Sequence, residues 1–454
     1  MSLQFDVPWP RCGRGMPLTS AVRVRCSVVL VLYSMVVVCF VFGGVFVLGP
    51  RVGLVTVTIL AAVVFVRPTW KRLANVILNC GDVKTTLMTA SSECVTPMIR
   101  RVRFVSALQS AKVKWLIIAS AIILLIETTG LYTMCWEKPY AQFTYPLEVD
   151  ARELLRALED GHAPAARPIN SCERYRFKIR NDRKCAEVNG TVRLLLLVKS
   201  ALQHRSQRDA IRLSWGFESR FSDVVIRRVF MLGTGEPETQ DEVDAEYARH
   251  KDLVQADFID SYYNNTIKTM LGFRWAFQHC RKAEFVLFVD DDYYVSVKNL
   301  LKFIRNPWGL SAVDSEEENT PATFVGDGRL WAGFVFARSR PMRHRWSKWY
   351  LSLDEYPYSR FPPYVTAGAF VLSQPALVDL YQVAQYTRPF RFDDIFLGIV
   401  ARKAGLRPLH SDAFRFWGRP EYPEDFEGLV AAHGFSDPEL LVRVWEQQKS
   451  RGQA

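Results

Sequence analysis

A chain of 454 residues has room for roughly two or three domains, and its 49% hydrophobic and 23% charged content is that of an ordinary globular protein. The formal net charge of +11 is concentrated before residue 115, in Arg and Lys residues that flank apolar stretches. No dense basic patch is interleaved with stacking aromatics, so the charge reads as membrane topology and nucleic acid is not an expected partner.

Three apolar stretches precede residue 140. Ser27–Leu48 is uncharged and reaches the length of about 20 residues that a bilayer span needs, whereas Val52–Val66 is uncharged but short. Trp115–Trp136 is interrupted only by Glu127 and Gly130. Arg100, Arg101, Arg103, Lys112 and Lys114 precede it, so the positive-inside rule puts residues 98–114 in the cytoplasm and everything after 140 in the lumen. The expectation is a single-pass type II signal anchor at 115–136. Residues 1–97 are then either a non-native extension upstream of a true start at Met98, or an inserted hairpin of 27–48 and 52–66 that makes three spans.

Residues 137–190 hold scattered charge and little periodicity, and are expected to form a stem. Cys172, Cys185 and Cys280 are the cysteines beyond residue 135. Cys172 and Cys185 are placed to close a small loop at the domain entrance in an oxidising compartment, leaving Cys280 as a buried thiol. No C-x₂-C pair exists, so no structural zinc is expected. Sequons at Asn189 and Asn264 are glycosylation candidates, Asn189 the better one because it lies beside a strand start.

From residue 191 apolar runs of strand length alternate with helical spacing. Strands are predicted at 192–198, 229–232, 253–258 and 285–289. Helices are predicted at 208–215, 240–250, 265–279 and from 297, after Ser296. This alternation implies a mostly parallel sheet with helices on both faces, whose ligands bind beyond the carboxyl ends of the strands. One strand runs straight into Asp290, Asp291 and Asp292 in the sequence EFVLFVDDDYYV. Three adjacent carboxylates at a strand end suit a hard divalent cation bound together with a diphosphate, or alternatively cap the following helix. Cations for a diphosphate are offered by Lys199, Arg208, Arg212 and Lys268, with Ser200 as a further donor. FRFDD offers a second carboxylate pair, Asp393 and Asp394, at the start of a predicted helix. Trp331, Trp346 and Trp349 are either core residues or a sugar-stacking platform.

The blocks RDAIRLSWG (208–216), VFMLGTG (229–235), DFIDSYYNNTIKTM (257–270), FVDDDYYVSVKNL (288–300), PPYVTAGAFVLS (362–373), FRFDDIFLGIVARKAGL (390–406) and VAAHGFSDPELLVRVW (430–445) follow one another in a recognisable order. Over 191–446 the chain resembles the beta-1,3-glycosyltransferase family of UDP-sugar-dependent Golgi enzymes. That resemblance implies a GT-A fold, an α/β nucleotide-sugar-binding domain, with a short tail at 447–454. It further implies Mn²⁺ or Mg²⁺ as cofactor, a Golgi membrane location and a glycolipid or glycoprotein acceptor. By resemblance Asp292 is the direct metal ligand, Asp290 and Asp291 contact metal, ribose or donor sugar, and His433 completes the metal site, with His410 a weaker rival. The second carboxylate of the later pair, Asp394, takes the place of the general base with Asp393 in support, and Gly368 and Ala369 let backbone approach the acceptor. Where many members carry a cysteine this chain has Val365 and Thr366, so their disulfide pattern does not transfer.

The expected activity is inverting, metal-dependent beta-1,3 transfer of N-acetylglucosamine from UDP-GlcNAc to a beta-mannosyl glycolipid. UDP-galactose as donor keeps the mechanism, and a catalytically silent membrane-anchored lectin or chaperone is the alternative of another class.

Overall fold

The computed structural model describes residues 111–454 except 146–149, 163–166, 171, 237 and 308–327. The expected hairpin at 27–48 and 52–66, and the basic segment as far as residue 110, lie outside the described residues. Helix α1 (Ala111–Thr129) covers most of the expected anchor and carries Lys112, Lys114 and Glu127. It breaks at Gly130, whose φ of 78° lies in the left-handed region and whose Cβ position would fall 2.4 Å from the Arg343 carbonyl oxygen. A short α2 (Leu131–Met134) follows. Among the described residues no helix is long and apolar enough to cross a membrane.

Next come α3 (Ala151–Glu159), β1 (Phe177–Ile179) and α4 (Arg183–Ala186). The predicted alternation then appears as β2 (Val192–Lys199), α5 (Arg205–Leu213), β3 (Ile226–Thr234), α6 (Glu238–His250), β4 (Leu253–Ile259), α7 (Asn265–His279) and β5 (Ala283–Asp290). The chain continues through β6 (Tyr293–Val295), α8 (Val297–Arg305), β7 (Trp331–Phe336), β8 (Tyr364–Ser373), α9 (Gln374–Gln385) and α10 (Asp393–Ala404). It ends with β9 (Leu409–His410), β10 (Phe414–Arg415), β11 (Ala431–His433) and α11 (Pro438–Ser450).

The main sheet has the order β1-β4-β3-β2-β5-β8-β7-β9. Its β4-β3-β2-β5 half is parallel, as the alternating pattern requires, but β8 runs antiparallel to both β5 and β7. No helix lies between β7 and β8 to carry the chain back across the sheet, so the two pair as antiparallel neighbours. β2 shows why both sheet faces are covered. Leu195 and Leu197 join a core with α7, α9 and α10, while Leu194, Leu196 and Val198 join another with α5, α8 and α11.

The flanks differ from expectation in three ways. Part of the expected stem belongs to the body, because Phe177–Ile179 pairs with β4 at the sheet edge. Cys185 forms a disulfide with Cys280, and Cys172 is the buried free thiol. The pairing arises because α4 packs against the end of α7, a proximity that sequence spacing does not encode. The expected tail is also packed in: α11 runs to Ser450, and Gln448 and Ala454 are buried.

Candidate active site

The carboxyl ends of β2 and β5 place Lys199 and Asp290 directly opposite each other in the parallel ladder. The buried Lys199 ammonium lies 3.0 Å from Asp290 Oδ1 and 3.2 Å from Asp393 Oδ2, and donates to the Ala367 carbonyl at 3.0 Å. Its pKa is raised: burial acts against the charge, but the Asp290 and Asp393 carboxylates outweigh it. One cation therefore bridges the aspartate triplet and the later carboxylate pair, 103 positions apart from Asp290 to Asp393.

Within the triplet each carboxylate has a different partner. Asp290 is engaged by Lys199. Burial and the neighbouring Asp292 and Asp393 push its pKa up against the pull of that lysine. Asp291 is buried and accepts from His204 Nδ1 at 2.9 Å, a contact that lifts the histidine pKa. Asp292 Oδ2 lies 3.1 Å from His433 Nε2, while its Oδ1 is buried with no hydrogen-bond partner among the described residues. The fold builds this last pair. β6 starts immediately after the triplet and runs antiparallel to β11, with His433 opposite Tyr293. The Asp292 carbonyl also accepts from Phe435 N at 2.8 Å.

The second carboxylate pair sits in the first turn of α10. Burial alone would raise Asp393, but the Lys199 charge and hydrogen bonds from Thr269 and Lys199 hold it below the usual carboxylate value. Thr269 Oγ1 donates to Asp393 Oδ2 at 2.7 Å. Asp394 goes the other way, pushed up to about 7 by burial and then by the adjacent Asp393 charge. Two adjacent carboxyls whose pKa values are driven apart give one permanent anion and one group able to take a proton near neutrality.

The remaining expected residues divide. Arg208 is fully buried, pairing with Glu246 at 2.7 Å and donating to Ser200 Oγ and to the Ala201 and Leu202 carbonyls. Arg212 joins Glu246 and Asp252, which Arg228 also contacts. Both arginines are thus engaged as internal cations, and Arg208 shapes the turn after β2. They are held inside because Glu246 on α6 and Asp252, just before β4, present carboxylates to them. Lys268 is likewise engaged, 2.6 Å from Asp260 and donating to the Ser200 carbonyl at 2.7 Å. Ala369 is a buried sheet residue paired with Val289. A Cβ on Gly368 would fall 2.1 Å from Tyr293 Oη, so its glycine makes room for that phenol. His410 accepts from Val335 N at 3.1 Å, on β9. Trp331 is buried core, whereas Trp346 and Trp349 are exposed. Asn189 is exposed before β2, and the Asn264 amide donates to the Ile259 carbonyl at 2.8 Å.

Three functional contacts were not anticipated from the sequence: His204 on Asp291, Thr269 on Asp393, and the Tyr293 ring over Gly368. Of these, Thr269 and Tyr293 lie within the blocks DFIDSYYNNTIKTM and FVDDDYYVSVKNL, whereas His204 lies outside every such block.

A hard cation such as Mg²⁺ keeps several waters and substrate phosphate oxygens, and needs only one or two protein ligands. Among the described residues no three His, Cys, Asp or Glu side chains converge as a complete metal cage. Asp292 and His433, with the buried Asp292 Oδ1 unpartnered among the described residues, fit a two-ligand site of that kind.

A galactosyltransferase family model matches residues 206–412. The chain is 45% identical to the beta-1,3-galactosyltransferase brn of Drosophila melanogaster, over 73% of this chain and 95% of that protein. It is 32% identical to a lactosylceramide 1,3-N-acetyl-beta-D-glucosaminyltransferase A of Xenopus laevis, over 62% of this chain and 71% of that protein. A solved galactosyltransferase in complex with donor and acceptor sugar analogues overlays on 57% of this chain with a TM-score of 0.30 and 12% identity, a likeness too slight to argue from. With its mixed α/β sheet of GT-A type, its two carboxylate clusters and these relatives, the chain belongs to the galactosyltransferase family and is a hexosyltransferase.

Proposed function

We propose that the protein transfers N-acetylglucosamine from UDP-GlcNAc to a hydroxyl of a beta-mannosyl glycolipid or related glycan, forming a beta-1,3 bond with inversion. The observation that carries the reaction type is the paired carboxyls in the first turn of α10, where Lys199 at 3.2 Å and Thr269 at 2.7 Å hold Asp393 as an anion and burial beside it pushes Asp394 up to about 7. In direct displacement the incoming hydroxyl loses a proton as it attacks, and Asp394 is the group that takes it. Asp292 and His433 would hold a divalent cation, Mn²⁺ or Mg²⁺, which when bound neutralises the departing UDP. Lys199 keeps both carboxylate clusters at fixed separation and Thr269 fixes the Asp393 carboxylate.

The N-acetylglucosamine reading is supported by the relative named for that donor, and a galactosyl reading by the name of the 45% identical relative. Trp115–Trp136 anchors the protein as a type II Golgi membrane enzyme with its catalytic body in the lumen, a placement supported by the basic residues that precede that stretch.

The test is sugar transfer by the full chain in detergent, with Mn²⁺ and a panel of UDP-sugars against beta-mannosyl and beta-galactosyl acceptors. Turnover with UDP-GlcNAc on beta-mannoside supports the proposal. Turnover confined to UDP-galactose replaces the donor, and a folded protein that binds UDP yet transfers nothing moves the silent lectin to the front.

A further inference from the structure

Trp349 and Tyr262 are distant in sequence yet joined: the indole Nε1 donates to the Tyr262 hydroxyl at 3.1 Å. The Lys348 ammonium lies 4.5 Å from the Trp349 ring centroid and 5.3 Å from that of Tyr262, holding the two rings through one shared cation. Each aromatic is nevertheless 49% exposed. Large aromatics left in solvent while their polar tips are paired are poor core and good ligand surface.

Their position follows from a closed circuit of contacts that begins and ends at Asp393. Tyr262 lies three residues before α7, and the second turn of that helix supplies Thr269 to Asp393. Trp349 is followed by Tyr350, whose carbonyl accepts from Arg391 Nη2. Arg391 also pairs with Glu355 at 2.8 Å and stands two residues before Asp393. The aromatic pair is therefore tied on both sides to the segment that carries Asp393 and Asp394. Burial raises the Tyr262 pKa, and the Asp394 and Asp393 charges add to it, as proximity to the base requires.

From this we infer that Tyr262 and Trp349 form a platform that stacks a pyranose ring of the acceptor and sets its hydroxyl toward Asp394. The carbon–hydrogen face of a sugar packs on an aromatic face, and both rings keep about half of their surface in solvent for it. The inference rests on the transferase reading and adds the element that selects the acceptor.

Trp349→Ala and Trp349→Phe in the full chain, with Trp346→Ala as an exposed aromatic control, provide the test. Trp349→Ala is expected to raise the acceptor KM about tenfold while donor KM and slow UDP-sugar hydrolysis stay unchanged, and Trp349→Phe to restore most of the loss. An unchanged acceptor KM in Trp349→Ala, or a donor KM that rises with it, overturns the platform. Saturation-transfer NMR with methyl beta-mannoside and methyl beta-galactoside, without donor, separates the two levels of the argument. If the wild-type protein transfers no sugar, the transferase reading fails. Even then, a glycoside signal lost in Trp349→Ala and kept in Trp346→Ala upholds the platform, whereas no wild-type signal, or one that persists in Trp349→Ala, sinks it.

Discussion

His433 Nε2 and Asp292 Oδ2 lie 3.1 Å apart, brought together across 141 residues by the pairing of two three-residue strands. The contact places a nitrogen and an oxygen donor at the end of β5, with the second Asp292 oxygen left without a partner among the described residues.

Asp292→Ala is expected to abolish Mn²⁺-stimulated transfer, and His433→Ala to raise the Mn²⁺ concentration for half-maximal activity at least about tenfold. Mn²⁺ binding followed by electron paramagnetic resonance gives a readout independent of turnover. Retention of wild-type Mn²⁺ affinity by both variants would remove these residues from the metal site.

Asp394→Asn keeps the shape of the pocket and removes the proton acceptor. Its kcat is expected to fall about 10²- to 10⁴-fold while UDP affinity by calorimetry stays near that of the wild-type protein. Equal loss of donor binding and turnover would assign Asp394 to the donor site instead.

The same carboxyl sets the pH profile. With a pKa of about 7 it holds its proton below that pH and cannot accept another, so kcat/KM rises with pH through about 7 and levels above it. Asp393→Asn removes the neighbouring charge that helps raise Asp394, so the break is expected to move to lower pH. A break that stays in place would show that burial alone sets it.

Arg208→Ala leaves Glu246 with one of its two arginines in a buried setting. The expected loss is about 3–5 kcal/mol, read from urea unfolding. A variant of unchanged stability that binds UDP poorly would restore Arg208 to the donor site.

The Cys185–Cys280 bridge spans 95 residues, and replacing both cysteines by serine is expected to lower stability by about 2–5 kcal/mol. Replacing Cys172, the free thiol, leaves the bridge intact and serves as the control.

The strands and helices from 192 to 305 were legible because their apolar periodicities are unambiguous. β2 and β5 are nearly unbroken apolar runs, and Ser296 caps α8 by accepting from Asn299 N. The aspartate triplet was legible for the same reason, since nothing in a buried strand explains three acids at its end. What the sequence concealed were tertiary partnerships. Arg208 and Arg212 share a helix face in any reading, but only the packing of α6 and β4 shows that this face meets Glu246 and Asp252. β1 is three residues long, too short for a periodic signal, and its pairing with β4 had to be seen. The Cys185–Cys280 bridge depends on that same folding back.

The sharing of Lys199 between Asp290 and Asp393 carries a thermodynamic consequence. Two sites that draw on one counter-ion are thermodynamically linked, and any ligand that alters the charge beside Asp290 must alter the proton affinity on the Asp393–Asp394 side by a matching amount. Binding beside Asp290 is therefore expected to depend on pH through the Asp393–Asp394 pair.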